Sequence, residues 1–312
     1  MTDSPKPRVV SLIASATEIV AALGMERHLV GVSHECDHPD SVRALPALSR
    51  PRLDTSRSSA LIDSDVRGMV GEGLSVYEVK VDELRRLRPD VIVTQDHCEV
   101  CAVALADVEA ALCALDLPDV KVCSLHPRDM HDVRADIRSV AAALDVPERG
   151  HEVVGELDRR LAALAGRTAV TERPRVALIE WLAPPMVAGG WMPELARSAG
   201  VEPVIVTDAE HFAEVGWQRI ADEDPDLVVV LPCGFDVVRS LEEMEDPAIA
   251  KGLRSIPAVR RGKGALVVDG NAYFNRPGPR LADSAELLAG AVHPTVVPEF
   301  AEAYAEAFTW WR

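Results

Sequence analysis

The residues best suited to chemistry in this 312-residue chain are cysteines and histidines that follow short apolar runs. Cys98 and Cys101 form a C-x-x-C pair, a spacing at which two thiolates reach one metal; redox dithiols share it. Cys36 and Cys233 are candidates for the third and fourth ligands of a tetrahedral zinc site or an iron–sulfur cluster. With Cys36, Cys98 and Cys101 alone, one metal position stays open for Lewis-acid chemistry. His34-Glu35-Cys36-Asp37-His38 spells the zinc-protease pattern H-E-x-x-H, which needs both imidazoles on one helical face. Pro39 disfavours helix at His38, so the protease reading is set aside. His34 and Glu35 remain candidate binding residues, together with Gln95. Cys113 and Cys123 lie inside helical and apolar segments and read as small buried hydrophobes.

Other loops offer recognition rather than catalysis. Ser15 and Glu18 have the spacing of a capping box at the start of the first helix, and Ser15 or Thr17 is placed to meet an anionic ligand group there. Gly189-Gly190-Trp191-Met192-Pro193 is the corresponding segment further on, with glycines for close backbone approach and a proline that opens a helix. Asn271-Ala-Tyr273-Phe274-Asn275-Arg276-Pro-Gly-Pro-Arg280 packs two arginines, amides and aromatics into one stretch, too rich in polar recognition groups for a mere connector. Of all the aromatic residues only Tyr77 precedes position 180; Trp181, Trp191, Trp217, Phe235, Tyr273 and Phe274 fall in expected loops, suited to a flat, partly apolar ligand.

The elements that position these residues follow from periodicity. Apolar runs at Arg8 to Ala14, Leu29 to Ser33, Val91 to Thr94, Val120 to Leu125, Val176 to Glu180, Val204 to Val206, Leu227 to Leu231 and Leu266 to Asp269 alternate with helical patterns such as Thr17 to Leu23, Val81 to Leu87 and Val103 to Leu115. Strands of this length alternating with helices predict parallel sheets with both faces covered. Ligands of such sheets bind beyond the carboxyl ends of the strands. Arg88-Pro89-Asp90 and Asp224-Pro225-Asp226 each separate a helix from a strand and point to two similar halves. Between the halves, Met130 to Leu144 and Glu148 to Ala165 have helical apolar spacing, for example Val153, Leu157, Leu161 and Leu164. The expectation is an α/β protein of two Rossmann-like lobes joined by a long bridging helix, with the ligand cleft between lobes: residues 1–126, 127–170 and 171–312.

Charge narrows the function further. Lys+Arg 33 against Asp+Glu 50 gives a net charge of −17, which repels nucleic-acid phosphates and anionic membrane surfaces. No uncharged apolar run approaches the roughly 20 residues that span a bilayer. The start of the chain passes straight into an apolar strand without the layout of a secretory signal, so a cytoplasmic location with reduced thiols is expected. P-loop, G-x-S-x-G and G-x-G-x-x-G signatures are missing, which leaves NTPase, serine-hydrolase and dinucleotide readings without support.

The whole chain resembles the helical-backbone class of ABC-type substrate-binding proteins, especially cobalamin-binding receptors. The resemblance rests on Arg8-Val-Val-Ser-Leu-Ile-Ala-Ser-Ala-Thr-Glu18, on Leu29-Val-Gly-Val-Ser33, on Leu84 to Thr94 and on the bridging helix; a signal-less subgroup shares the His-Glu-Cys, Cys-Glu-Val-Cys and Asn-Ala-Tyr-Phe-Asn-Arg-Pro-Gly-Pro-Arg motifs. It implies two α/β lobes, limited hinge motion and a ligand between them. The expected cargo is a corrinoid such as cobalamin or a similar small metal complex, with no nucleic acid and no membrane insertion; the missing signal speaks against docking to a permease. Trp181, Trp191, Tyr273 and Phe274 would form apolar walls, Asn275, Arg276 and Arg280 polar contacts, and a histidine or thiolate a cobalt ligand. The rival expectation is a metalloenzyme or metal carrier holding zinc or an iron–sulfur cluster on the cysteines.

Overall fold

A computed structural model describes residues 7–72, 74–96, 105–115, 117–206, 213–262 and 264–312. The chain divides into two compact units. One comprises the chain up to Arg57 with Ser64–Pro127 and His131–Glu156; the other comprises Ser58–Asp63, Arg128–Met130 and Leu157–Arg312.

The strands of the first unit are β1 (Val9–Ser11), β2 (Leu29–Gly31), β3 (Ser49–Pro51), β4 (Tyr77–Val79), β5 (Val91–Gln95) and β6 (Lys121–Leu125). A parallel sheet has the order β2-β1-β5-β6, with Val9, Val10 and Ser11 opposite Val91, Ile92 and Val93; β3 and β4 form a separate antiparallel pair. β-Branched runs suit these strands because χ1 is already restricted, and the central ones are buried on both faces. Helices α1 (Ala14–Ala22), α2 (Ser59–Gly71) from Ser64 onward, α3 (Val81–Leu87), α4 (Leu105–Ala114) and α5 (Met130–Ala143) from His131 onward accompany them. The core is aliphatic: Val10, Leu12, Leu48, Leu84, Ile92, Val108 and Leu112, with Tyr77 packed at its edge.

Helix α6 (Pro147–Thr168) starts in the first unit and ends in the second, with Pro147 in its opening turn, where no hydrogen bond is lost. Its buried stripe is Val154, Leu157, Leu161 and Leu164, so Val154 rather than Val153 faces inward.

The second unit adds β7 (Arg175–Leu182), β8 (Pro185–Val187), β9 (Glu202–Pro203), β10 (Ala213–Glu214), β11 (Leu227–Val230), β12 (Ala265–Val268) and β13 (Phe308–Trp311). Its sheet runs β10-β8-β7-β11-β12-β13, with β9 also on β7. The expected parallel core, β7, β11 and β12, is there, and it is extended by antiparallel β8, β10 and β13. These short edge strands carry too few apolar residues to stand out from loops. The run Val204 to Val206 is not a strand; pairing with β7 covers only Glu202 and Pro203. Helices α7 (Met192–Ser198), α8 (Trp217–Asp222), α9 (Val237–Met244), α10 (Pro247–Ser255), α11 (Pro257–Arg261), α12 (Leu281–Val292) and α13 (Pro298–Ala303) complete it, and no helix among the described residues is long and apolar enough to cross a membrane.

Candidate functional site

In the first unit, the carboxyl ends of the parallel strands gather polar side chains from several loops. α1 begins at Ala14 with extended Ile13 as its N-cap and no side-chain cap, which corrects the capping box expected at Ser15. The turn after β1 starts the helix early and carries Ser15 and Glu18 inside it, both buried. The Ser15 hydroxyl has no hydrogen-bond partner among the described residues. Thr17 is fully buried; its hydroxyl donates to Ser11 Oγ at 2.8 Å and lies 3.0 Å from the Cys36 thiol. Cys36 is therefore a buried member of a hydroxyl–thiol chain.

Residues 34–38 form turns and bends, not helix, so the H-E-x-x-H pattern has no metalloprotease geometry. His34 is fixed by its surroundings. Its backbone N–H donates to Ser49 Oγ at 3.2 Å and its Nδ1 lies 2.8 Å from the same oxygen, while Ser49 donates to Ser33 Oγ at 3.0 Å. The ring packs at 5.3 Å on Tyr77 of β4, and Nε2 lies 3.0 Å from Glu35 Oε1. Gln95, the last residue of β5, is buried. Cys98 and Cys101 lie outside the described residues, and among the described ones no group of three or more His, Cys, Asp or Glu side chains is arranged to hold a metal ion.

Two residues at these strand ends, His126 and Asp96, and one on α5, Asp136, escaped the sequence reading. His126 follows β6 and Asp96 follows β5; the His126 ring meets Asp96 at 2.7 Å, and its backbone N–H donates to the Asp136 carboxylate at 3.1 and 3.2 Å. Burial raises the Asp136 carboxyl to about 7 despite that hydrogen bond. The position of Asp96 and His126 straight after apolar runs was the available signal. Burial likewise lifts the half-buried Cys123 thiol to about 11, whereas Cys113 is exposed rather than a buried hydrophobe.

In the second unit the strand ends are aromatic. Trp181 stands on β7 itself rather than in a loop, its ring 5.2 Å from Phe235, and its buried Nε1 has no hydrogen-bond partner among the described residues. The Arg239 guanidinium lies 3.9 Å over the other ring of the pair, Phe235. Cys233, half-buried, donates its backbone N–H to the Glu180 carbonyl at 3.1 Å.

The 270s segment divides into scaffold and exposed parts. Gly270–Phe274 forms one π-turn capped by Asp269, whose carboxylate accepts the Ala272 N–H at 2.7 Å and is raised by burial. A Cβ on Gly270 would sit 2.3 Å from the Pro232 carbonyl oxygen, so only glycine fits this close approach. Asn275 Nδ2 donates to the Leu231 and Gly270 carbonyls at 3.1 and 2.9 Å, holding the turn against β11. Phe274 is 1% exposed, a core residue and not a ligand wall, and its carbonyl accepts Trp191 Nε1–H at 2.9 Å. Buried Arg276 reaches Asn271 Oδ1 at 3.4 Å. Tyr273 is the more accessible group: Arg280 stacks on it at 4.9 Å and pairs with Asp283 at 3.5 Å, and Tyr304 meets it edge-on.

The comparisons with known proteins agree with this architecture. A family model described as periplasmic binding protein matches residues 9–264. The vitamin B12-binding protein of Vibrio parahaemolyticus is 22% identical over 285 residues, 90% of this chain and 87% of the relative. Among solved structures, a periplasmic heme-binding protein from Pseudomonas aeruginosa superposes with a TM-score of 0.65 at 23% identity over 93% of each chain. A periplasmic vitamin B12-binding protein of Vibrio cholerae gives 0.61 at 17% identity, covering 96% of this chain and 99% of that one.

Proposed function

Given that the chain belongs to the periplasmic binding protein family, we propose that it is a substrate-binding protein whose cargo is a corrinoid or a similar planar metal complex. The observation that carries the choice of cargo is the aromatic set at the strand ends of the second unit. Trp181, backed by buried Phe235, and Tyr273 under Arg280 offer flat apolar faces with cations nearby. Such surfaces suit a macrocycle with an apolar face and a polar or anionic rim. Curated relatives named for vitamin B12 binding and solved structures named for heme binding support the same class. Within this proposal Trp181, Trp191 and Tyr273 touch the macrocycle and Arg280 its rim, while Phe274, Asn275 and Arg276 hold the loop in place; His34, Glu35 and Gln95 are the candidate binding residues of the first unit taken by itself. Ser15 and Thr17 support the first unit's loops from within. A cytoplasmic location belongs to the same proposal and is tested by cell fractionation.

Calorimetric titration with aquocobalamin, cyanocobalamin and hemin tests the reading: saturable binding of one of them is expected, and absence of heat with all of them contradicts it. The rival is zinc or an iron–sulfur cluster on Cys36, Cys98, Cys101 and Cys233, of which Cys98 and Cys101 lie outside the described residues and Cys36 lies 3.0 Å from the Thr17 hydroxyl. Metal analysis of freshly purified protein checks it.

A further inference from the structure

We propose that Arg160, on the part of helix α6 that belongs to the second unit, is a positioning residue for that unit's recognition face: it neutralises two carboxylates of α12 so that Arg280 stays stacked on Tyr273. The inference rests on the reading above that Tyr273 and Arg280 meet the cargo. It begins with a fork. Arg160 Nε donates to Glu286 Oε1 at 3.0 Å, and its Nη2 donates to Glu286 Oε2 and Asp283 Oδ1 at 2.5 Å each. Such a charged fork fixes direction as well as distance. The other oxygen of Asp283 lies 3.5 Å from Arg280 Nε, and the Arg280 guanidinium lies 4.9 Å over the Tyr273 ring. The Tyr304 hydroxyl donates to Glu286 Oε2 at 3.1 Å, with Asp283 Oδ1 at 3.4 Å, and its ring meets Tyr273 edge-on at 5.9 Å. Both neighbours of Tyr273 therefore hang on the same pair of carboxylates.

The charges explain why Arg160 matters to a face it does not touch. Arg160 and Arg280 balance Asp283 and Glu286, so the network is neutral as a whole. Asp283 and Glu286 stand three residues apart on α12, where like charges share a face and repel. Glu286 is buried, and a buried carboxylate needs a paired cation. Arg160 supplies that cation with its tight fork, which leaves Arg280 with the looser 3.5 Å contact and its planar face on the ring. Without Arg160, two carboxylates face the single cation Arg280. Attraction then draws its guanidinium down onto them and off Tyr273, and the Tyr304 hydroxyl loses the carboxylate geometry that orients its ring.

The test compares full-length wild type, Arg160→Gln, Arg280→Gln and the double variant by calorimetry with aquocobalamin, cyanocobalamin and hemin. Arg160→Gln should weaken the binding seen in wild type roughly tenfold, and should add less than about twofold once Arg280 is replaced, because a positioning residue acts through the group it positions. Glu286→Gln added to Arg160→Gln restores the charge balance without restoring the tether between α6 and α12. It should recover most of the lost affinity, which a merely structural role would not allow. A second readout needs no cargo. The chain has three tyrosines, Tyr77, Tyr273 and Tyr304. In protein labelled with 3-fluorotyrosine, the Tyr273 fluorine resonance, assigned with Tyr273→Phe, should move in Arg160→Gln and return when Glu286→Gln is added. Arg160→Lys, which keeps the charge but not the fork, replaces Arg160→Gln if circular dichroism shows that chain to be unfolded, and should weaken binding by a smaller factor that again depends on Arg280. Undiminished binding in the Arg160 variant, or a loss of equal size with and without Arg280, overturns the inference and leaves the proposed cargo standing. Wild type that binds none of the three overturns the cargo reading, whereas a Tyr273 resonance that stays in place overturns the positioning in either case.

Discussion

In the first unit the Arg8 backbone N–H donates to the Asp90 carboxylate at 2.7 Å and the Asp90 N–H returns to the Arg8 carbonyl at 2.8 Å; in the second, Arg175 and Asp226 make the same reciprocal pair at 2.8 Å each way. The residue two before each aspartate, Arg88 or Asp224, is left-handed at φ 43° or 42°. The Arg8 guanidinium also donates to the Leu87 carbonyl, as that of Arg175 does to Asp224. Thus both units begin their central strand pair with one device. Their carboxyl ends diverge: serine, threonine, cysteine and histidine in the first, tryptophan, phenylalanine, tyrosine and arginine in the second. The amino ends of the strands carry stability common to both halves, and the carboxyl ends carry the differences that recognition requires.

The comparison can be broken at several strengths. Leu84→Ala in the first core and Leu253→Ala in the second, both fully buried, should each cost about 2–5 kcal/mol in urea unfolding. One of them proving silent would show that the two cores are not equivalent. Asp90→Ala and Asp226→Ala should each cost about 1–3 kcal/mol, because each leaves a strand-end N–H without its acceptor. A large difference between the two would deny the shared device. The first unit should also respond to pH where the second does not. Because burial raises Asp136 from 3.8 to about 7, its folded carboxyl keeps a proton that the unfolded chain releases. The stabilisation from this group is fully present below about pH 4 and is lost as pH rises to about 7. Asp136→Asn should flatten that part of the stability profile and still accept the His126 N–H; an unchanged profile contradicts the assignment. In the second unit Phe235→Leu, which keeps this buried position filled, should weaken cargo binding by about 1 kcal/mol through loss of the Trp181 ring contact, read by calorimetry. Least of all, Arg197→Ala, which breaks an exposed pair with Glu202 at 3.0 Å, should cost less than about 1 kcal/mol.

What could be read from residues alone follows the same division. The runs Val9-Val10, Val91-Ile92-Val93 and Val228-Val229-Val230 announce buried parallel strands, and the Arg-Pro-Asp and Asp-Pro-Asp turns announce the two halves, because these signals are local. Strands β8, β10 and β13 are short edges whose identity depends on the neighbours they pair with. The candidate site residues could be read as strand-end positions, but how each of them packs could not. Phe274 and Asn275 look like ligand contacts until the π-turn packs one into the core and ties the other to β11. Ser49, whose hydroxyl lies 2.8 Å from His34 Nδ1, is fifteen positions away in sequence and meets it only through β3. Asp136 acquires its raised pKa from burial on α5, which no spacing rule encodes.

The most direct test of the central claim follows the emission of the tryptophans, all of which lie in the second unit, as aquocobalamin is added to the intact protein. The account predicts quenching that saturates near one ligand per chain and is largely lost in Trp181→Phe. Emission that stays unquenched once inner-filter absorption is corrected, at several-fold excess of ligand, would contradict it.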